Sequence, residues 1–308
     1  MRTAYISHPD CLAHETGPGH PEHERRLTAI QDKLVSSQLF DFLMHLDAPE
    51  ATDEQLLRVH SARYLAHLRA SAPVEGLFSL DPDTRIGPHS LQAARRAAGS
   101  VVLAVDHIMG GELDRAFCAV RPPGHHAERD QALGFCLYNN IAVGVAHALE
   151  EYDLQRIAIL DFDVHQGNGT EQAFLQDDRV LFCSTFQHPF YPFTPLLEDT
   201  EYMISVPLLS TAKSEEFRAG VTDRWMPALE RFQPEMVFIS AGFDAHRDDD
   251  MSGVSLTDAD FRWVAELLVE VANQSAQGRI VSVLEGGYEL HSLARCAETH
   301  IRILMGLH

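Results

Sequence analysis

The chain has 308 residues, 45% hydrophobic and 22% charged, and 45 acidic against 24 basic side chains leave a formal charge of −21. A chain this long can bury a substantial core without disulfide or metal staples, and this charge argues against a general nucleic-acid binder, whose phosphate contacts need clustered Lys and Arg. No apolar run approaches the roughly 20 residues of a membrane span and the first ten residues lack the apolar core of a leader, so no membrane partner is expected and the location is expected to be cytoplasmic.

Taken in chain order, apolar periodicity predicts a helix over residues 88–109, then a short buried strand at 117–120. A helix at 138–151 and strands at 157–160 and 180–183 follow. The next elements are a helix at 215–231, a strand at 236–240, and a helix at 258–274 with Thr257 as N-cap and Asp260 three residues on. A strand at 280–284 and a helix at 290–305 complete the series. Alternation of this kind predicts an α/β fold, one domain over 1–308, with a mainly parallel central sheet and helices on both faces. The five cysteines are odd in number and include no C-x-x-C pair, which fits reduced thiols rather than a disulfide framework.

The strands end in chemistry. The first leads into Arg121-Pro-Pro-Gly-His-His126 and the second into Asp161-Phe-Asp-Val-His165. The others lead into Ser184-Thr-Phe-Gln-His188, Ala241-Gly-Phe-Asp-Ala-His246 and Glu285-Gly-Gly-Tyr288. Ligands of open α/β sheets bind outside the carboxyl ends of the strands, so five such clusters on one sheet edge point to an active site.

Asp161, Asp163 and His165 alternate along an extended segment and project to one side. One imidazole with carboxylate oxygens suits a borderline divalent ion such as zinc, and Asp244 would complete a three-ligand site with an open position. Taken alone, the D-x-D-x-H pattern is equally a hydrogen-bonded strand end. The stiff Pro-Pro and hinge-like Gly before His125 and His126 can aim both rings into a cavity, where a neutral imidazole is a natural general base. A phenol at Tyr288, after Glu-Gly-Gly, can stabilise a developing oxyanion, or simply pack on a glycine turn. The stiff segment His188-Pro-Phe-Tyr-Pro-Phe-Thr-Pro195 reads as a wall of the site mouth, a subunit contact or a plain surface loop. No G-x-S-x-G, Walker A, H-E-x-x-H or kinase motif is present.

With these residues in order, the whole chain resembles the zinc-dependent histone deacetylase and acetylpolyamine amidohydrolase family on the arginase–deacetylase fold. The likeness runs from Gly19-His-Pro-Glu22 and Arg26 through Gly134-Phe135-Cys136 and the strand-end motifs to Tyr288. It implies a Zn²⁺ held by Asp163, His165 and Asp244, and a tandem pair His125 and His126 oriented by Asp161 and Asn168. Asn168 stands where some relatives carry an acid, so His126 should be easier to leave neutral here. Tyr288 matches the catalytic tyrosine. Gly134, Phe135, Tyr191 and Gly287 would surround the substrate, and Arg26 would line an acetate exit. Structural K⁺ is implied at Asp161, Asp163, His165, Ser184 and Thr185, with a second site at Phe174, Asp177, Val180 and Tyr202. Many relatives read Gly-Asp-Pro beyond the last zinc aspartate, where this chain has Asp248, Asp249 and Asp250.

The leading expectation is hydrolysis of an N-acetylated amine, either a small acetylpolyamine or an acetyl-lysine peptide, by metal-activated water. Two alternatives stay open: an amidohydrolase for another small acyl amide, and a non-catalytic protein that binds metal or an acetylated ligand. An arginase-like di-manganese hydrolase lacks a second obvious acid set. A homo-oligomer is compatible with all of these readings. The −21 charge would favour acetylated cations only if acids such as Asp248, Asp249 and Asp250 ring the mouth.

Overall fold

Near-continuous apolar runs form strands that must be covered on both faces, and the helical segments between them supply the cover. The computed structural model describes residues 1–307. Its elements begin with β1 (Thr3–Ser7), α1 (Arg25–Ser36), β2 (Met44–Asp47), α2 (Asp53–Leu57) and α3 (Ala62–Ser71). A small hairpin, β3 (Phe78–Ser79) and β4 (Arg85–Ile86), precedes α4 (Ser90–Met109), β5 (Arg115–Cys118) and α5 (Asn140–Tyr152). Then come β6 (Ile157–Asp161), α6 (Asn168–Phe174), β7 (Val180–Gln187), β8 (Met203–Leu208), α7 (Ser214–Gly220) and α8 (Met226–Phe232). The chain closes with β9 (Met236–Ala241), α9 (Asp258–Ser275), β10 (Ile280–Leu284) and α10 (Leu290–Leu304).

Eight strands make one sheet in the order β2-β1-β5-β10-β9-β6-β7-β8, and every pairing in it is parallel. Helices α4 and α5 pack together on one face, and α1, α9 and α10 form the layer on the other. The five strands expected from sequence are the five contiguous inner ones, β5-β10-β9-β6-β7. Asp161 pairs with both Ser184 and Ser240, so β6 and β9 end side by side while β7 runs on to Gln187. The other three strands lie outside this block. β2 is largely exposed and β8 carries Pro207, which an edge strand tolerates because one side of its backbone needs no partner.

Local signals account for most element ends. Asn139 accepts from Ala142 N (3.0 Å) at the start of α5, and Asp260 Oδ2 accepts from Thr257 N (2.9 Å) at the start of α9. The strand expected at 117–120 sits two residues earlier, which leaves Val120 in the loop that carries the histidines. The helix expected at 215–231 is broken into α7, a π turn at Val221–Trp225 and α8. Pro227 has no N–H to give to an α-helical ladder, and the wider turn absorbs the gap.

On the outer side of α4, residues 48–51 are strapped down by Arg95 Nη1 to Ala51 O (2.8 Å) and Arg96 Nη1 to Ala48 O (2.9 Å). The approach is so close that a Cβ on Gly99 would lie 2.0 Å from Pro49 O and 2.8 Å from Ala51 N. Gly99→Ala should therefore destabilise the chain by about 1–3 kcal/mol despite alanine's better helix propensity. Urea denaturation checks this, and an unchanged or higher midpoint would contradict the packing.

Candidate active site

Asp163 and His165 lie just beyond β6 and Asp244 just beyond β9, the neighbouring strand. Their ligand atoms all fall within 4.8 Å of one another, and all three residues are buried. Backbone amides fix the carboxylates from behind: Gly286 N donates to Asp163 Oδ2 (2.7 Å) and Val164 N to Asp244 Oδ1 (3.0 Å). Asp244 Oδ2 is buried 3.1 Å from His165 Nδ1, an ion-pair distance, but among the described residues it has no partner in full hydrogen-bond geometry. Burial and the charge of Asp163 push its carboxyl up to about 6. For His165, burial opposes protonation, but hydrogen bonds and charge from Asp163 and Asp244 outweigh it and hold the ring up to about 10. A proton on His165 and a divalent cation are alternative ways to neutralise the same buried charge. The donor set, one imidazole and two carboxylates, fits zinc.

The tandem histidines follow β5. His125 Nδ1 faces Asp161 Oδ2 at 3.0 Å, and His126 Nδ1 faces Asn168 Oδ1 at 2.8 Å. The two rings therefore differ electrostatically. Burial works against charge on His125, yet Asp163 and Asp161 hold it up to about 10. Burial and the neighbouring His125 and His165 drive His126 well below the ordinary histidine value. The neutral His126 expected from Asn168 is thus favoured mainly by desolvation.

A cavity of about 180 Å³ opens above these groups, lined by Asp83, His126, Gly134, Phe135, His165, Phe190, Tyr191, Met251 and Tyr288. Phe135 and Tyr288 meet edge to face at 6.0 Å, while Phe190 stacks on His165 at 5.5 Å. The stiff segment at 188–195 thus shapes the mouth. Gly134 has φ +55°, and a Cβ there would fall 2.3 Å from His126 Cδ2, so the wall can approach the ring only at a glycine. Arg26 is fully buried: its Nε donates to Gly287 O (2.6 Å), its Nη2 to Glu285 O, and its guanidinium lies 4.8 Å from the Tyr288 ring centre.

The ring of acids at the mouth is not what the three consecutive aspartates suggested. Asp249 is buried and accepts from Tyr288 N (2.6 Å), Glu289 N (2.9 Å) and Met251 N (3.1 Å), so it ties down the tyrosine loop. Asp248 pairs with Arg295 at 3.3 Å. The acid that does line the cavity is Asp83, from the loop between β3 and β4. Burial and the adjacent Asp81 push its carboxyl up to about 6.

Ser184 lies beside Asp161 within β7 and Thr185 follows it, and Ser184 Oγ is buried without a hydrogen-bond partner among the described residues. Phe174, Asp177 and Val180 share one loop at the opposite, amino end of β7, with Tyr202 O bonded to Phe182 N (2.8 Å) next to them. There the Asp177 carboxylate is taken by Arg179 (2.6 Å), and the carbonyls of Phe174, Asp177 and Tyr202 each accept one backbone hydrogen bond, which leaves each a second lone pair. A second trio, His246, Asp258 and Cys296, also converges. Arg295 Nε already satisfies Asp258 (2.9 Å), and His246 Nδ1 accepts from Asp248 N (3.1 Å), so this trio is self-contained.

Sequence reasoning overlooked Glu285 as a functional side chain. It is fully buried and its Oε2 accepts from Gly124 N (2.7 Å) and His125 N (3.1 Å), which sets the histidine loop on the end of β10. An acid directly after an apolar strand was the available signal. Glu22, buried between Arg121 and Arg26, was overlooked in the same way.

A histone deacetylase domain model matches residues 20–304. The chain is 36% identical to the histone deacetylase-like amidohydrolase of Pseudomonas aeruginosa, over 99% of this chain and 87% of that protein. It is 33% identical to the polyamine deacetylase HDAC10 of Mus musculus, over 99% of this chain and 48% of that longer protein. The crystal structure of the HDA15 HD domain superposes with a TM-score of 0.92 at 31% identity, covering 99% of this chain and 89% of that one. The chain belongs to the histone deacetylase family and has its arginase–deacetylase fold.

Proposed function

We propose that the protein is a zinc-dependent deacetylase that hydrolyses the amide of an N-acetylated amine to free amine and acetate. The observation that carries this reading is convergence: His165 of the ligand trio, His126 and Tyr288 all line one narrow cavity. Bound by Asp163, His165 and Asp244, a zinc ion would polarise the acetyl carbonyl and acidify a water. His126, which lines the cavity while His125 does not, takes the water proton. Tyr288 is kept protonated, because burial lifts its phenol well above the ordinary tyrosine value. Its hydroxyl therefore donates to the carbonyl oxygen as charge develops. His126 then returns its proton to the amine nitrogen as the C–N bond breaks. Asp161 orients His125 through its Nδ1.

Gly134, Phe135, Tyr191 and Gly287 shape the acetyl end of the channel, and Arg26 lies on the route by which acetate would leave. K⁺ is proposed at Asp161, Asp163, His165, Ser184 and Thr185, where the unpartnered Ser184 Oγ supports it, and at Phe174, Asp177, Val180 and Tyr202. No helix among the described residues is long and apolar enough to cross a membrane. All five cysteines are buried and free, which supports a reducing, cytoplasmic setting.

Three outcomes test the reading. A Cβ at position 286 would fall 2.0 Å from Asp244 Oδ2 and 2.5 Å from Asp163 Oδ2. Gly286→Ala should therefore lose bound zinc, as measured by metal analysis of the folded variant; stoichiometric zinc would refute the ligand set. Tyr288→Phe should keep its zinc and lose roughly 100-fold in kcat on an acetyl-lysine anilide, and near-native turnover would remove the oxyanion role. Asp83 is ionised above about pH 6, so it should favour substrates with a second positive charge at neutral pH and lose that preference as pH falls below 6. The ratio of kcat/KM for acetylspermidine over acetanilide reports this, and a ratio unaffected by Asp83→Asn would exclude the contribution.

A further inference from the structure

Asn168 holds the general-base histidine through an amide, and an amide can face either way. Its orientation decides the chemistry. With Oδ1 toward His126, the ring must carry its proton on Nδ1 and leave Nε2 bare; with Nδ2 toward it, the reverse holds. Asn168 itself is buried, and its amide nitrogen donates to Glu128 Oε1 at 2.7 Å and, at the longer distance of 3.4 Å, to the His126 carbonyl. A carboxylate only accepts, so the amide nitrogen must point to it and the oxygen to His126. Glu128 is held in turn by Gln172 Nε2 at 3.1 Å. The Gln172 amide is also fixed, because its Oε1 accepts from the backbone N–H of Arg129 at 2.9 Å. Every bond from that backbone donor to the His126 ring has one permitted direction.

We propose that Glu128 is a positioning residue that locks the Asn168 amide and so sets the Nδ1–H tautomer of His126. The inference rests on the reading of His126 as the base. It also explains how a neutral Asn serves at this place: the negative charge stands one residue further out, near the surface, rather than against the ring. If a carboxylate stood at 168, the acid at 128 would face a like charge at hydrogen-bond distance.

The test uses the full-length zinc-loaded protein, an acetyl-lysine anilide for kcat and KM, and ¹⁵N NMR of the His126 ring. Glu128→Leu should lower kcat about ten-fold with KM and zinc content unchanged, and the Nε2–H tautomer should grow in. Glu128→Gln keeps an acceptor oxygen and should retain most activity. In an Asn168→Asp background the sign should reverse, with Glu128→Gln raising kcat by removing the repulsion and donating to the new carboxylate. The proposal is overturned if Glu128→Leu leaves the tautomer unchanged, if the tautomer shifts without loss of kcat, or if Glu128→Gln acts in the same direction in both backgrounds. A wild-type protein that binds zinc but never cleaves the anilide would refute the proposed function instead, while the tautomer comparison would still decide the role of Glu128.

Discussion

Buried negative charge is the constraint on which this molecule depends. Asp161, Asp163, Asp244 and Glu285 are each at most 1% exposed and gather at the ends of three adjacent strands. Carboxylates withdrawn from water are costly unless they are paired and hydrogen-bonded. The loops around the site are arranged to meet that demand. The turn after β5 offers the amides of Gly124 and His125 to Glu285, and the turn after β10 offers that of Gly286 to Asp163. The histidine loop and the tyrosine loop are thus placed by the acids they neutralise. Asp244 Oδ2 meets His165 Nδ1 at 3.1 Å outside full hydrogen-bond geometry, and the negative charge shared by this trio is the physical case for a cation.

A second buried cluster holds the first in place. Glu22 lies between Arg121 and Arg26, with His14 Nε2 at 3.5 Å, and none of these four side chains reaches solvent appreciably. Arg121 opens the histidine loop and also bonds the carbonyls of Cys11 (2.9 Å) and His14 (3.2 Å). Arg26 fixes the carbonyls of Glu285 and Gly287 on either side of Gly286, which lies against Asp163 and Asp244. The segment from His14 into the first turn of α1, remote in sequence, therefore braces two loops of the centre at once.

What could be read from the sequence follows from how each group acts. Chemistry set by residue type at short spacing was visible, as with Asp161, Asp163 and His165 or the His125–His126 pair. Five buried strands were visible because their apolar runs need cover on both faces, but β1, buried between β2 and β5, was not. Edge strands β2 and β8 were not, since exposure and Pro207 blur the pattern. Groups that act through long-range contacts were hidden: Glu285, Glu22 and Glu128 look like ordinary acids until topology brings them to their partners. The run Asp248, Asp249 and Asp250 misled for the converse reason. Three like residues in a row have three different surroundings, and the middle one turns inward to cap backbone amides.

The strand order has a consequence for how the protein comes into being. β10 is the last strand in the chain, yet it lies in the middle of the sheet between β5 and β9. Until residue 284 has emerged from the ribosome, the strands can pair only as two separate pieces, β2-β1-β5 and β9-β6-β7-β8. The histidine loop belongs to the first piece and the ligand aspartates to the second. The cluster of Asp163, His165 and Asp244 can therefore assemble within the second piece alone, whereas the tandem histidines and Tyr288 join it only when the last strand arrives.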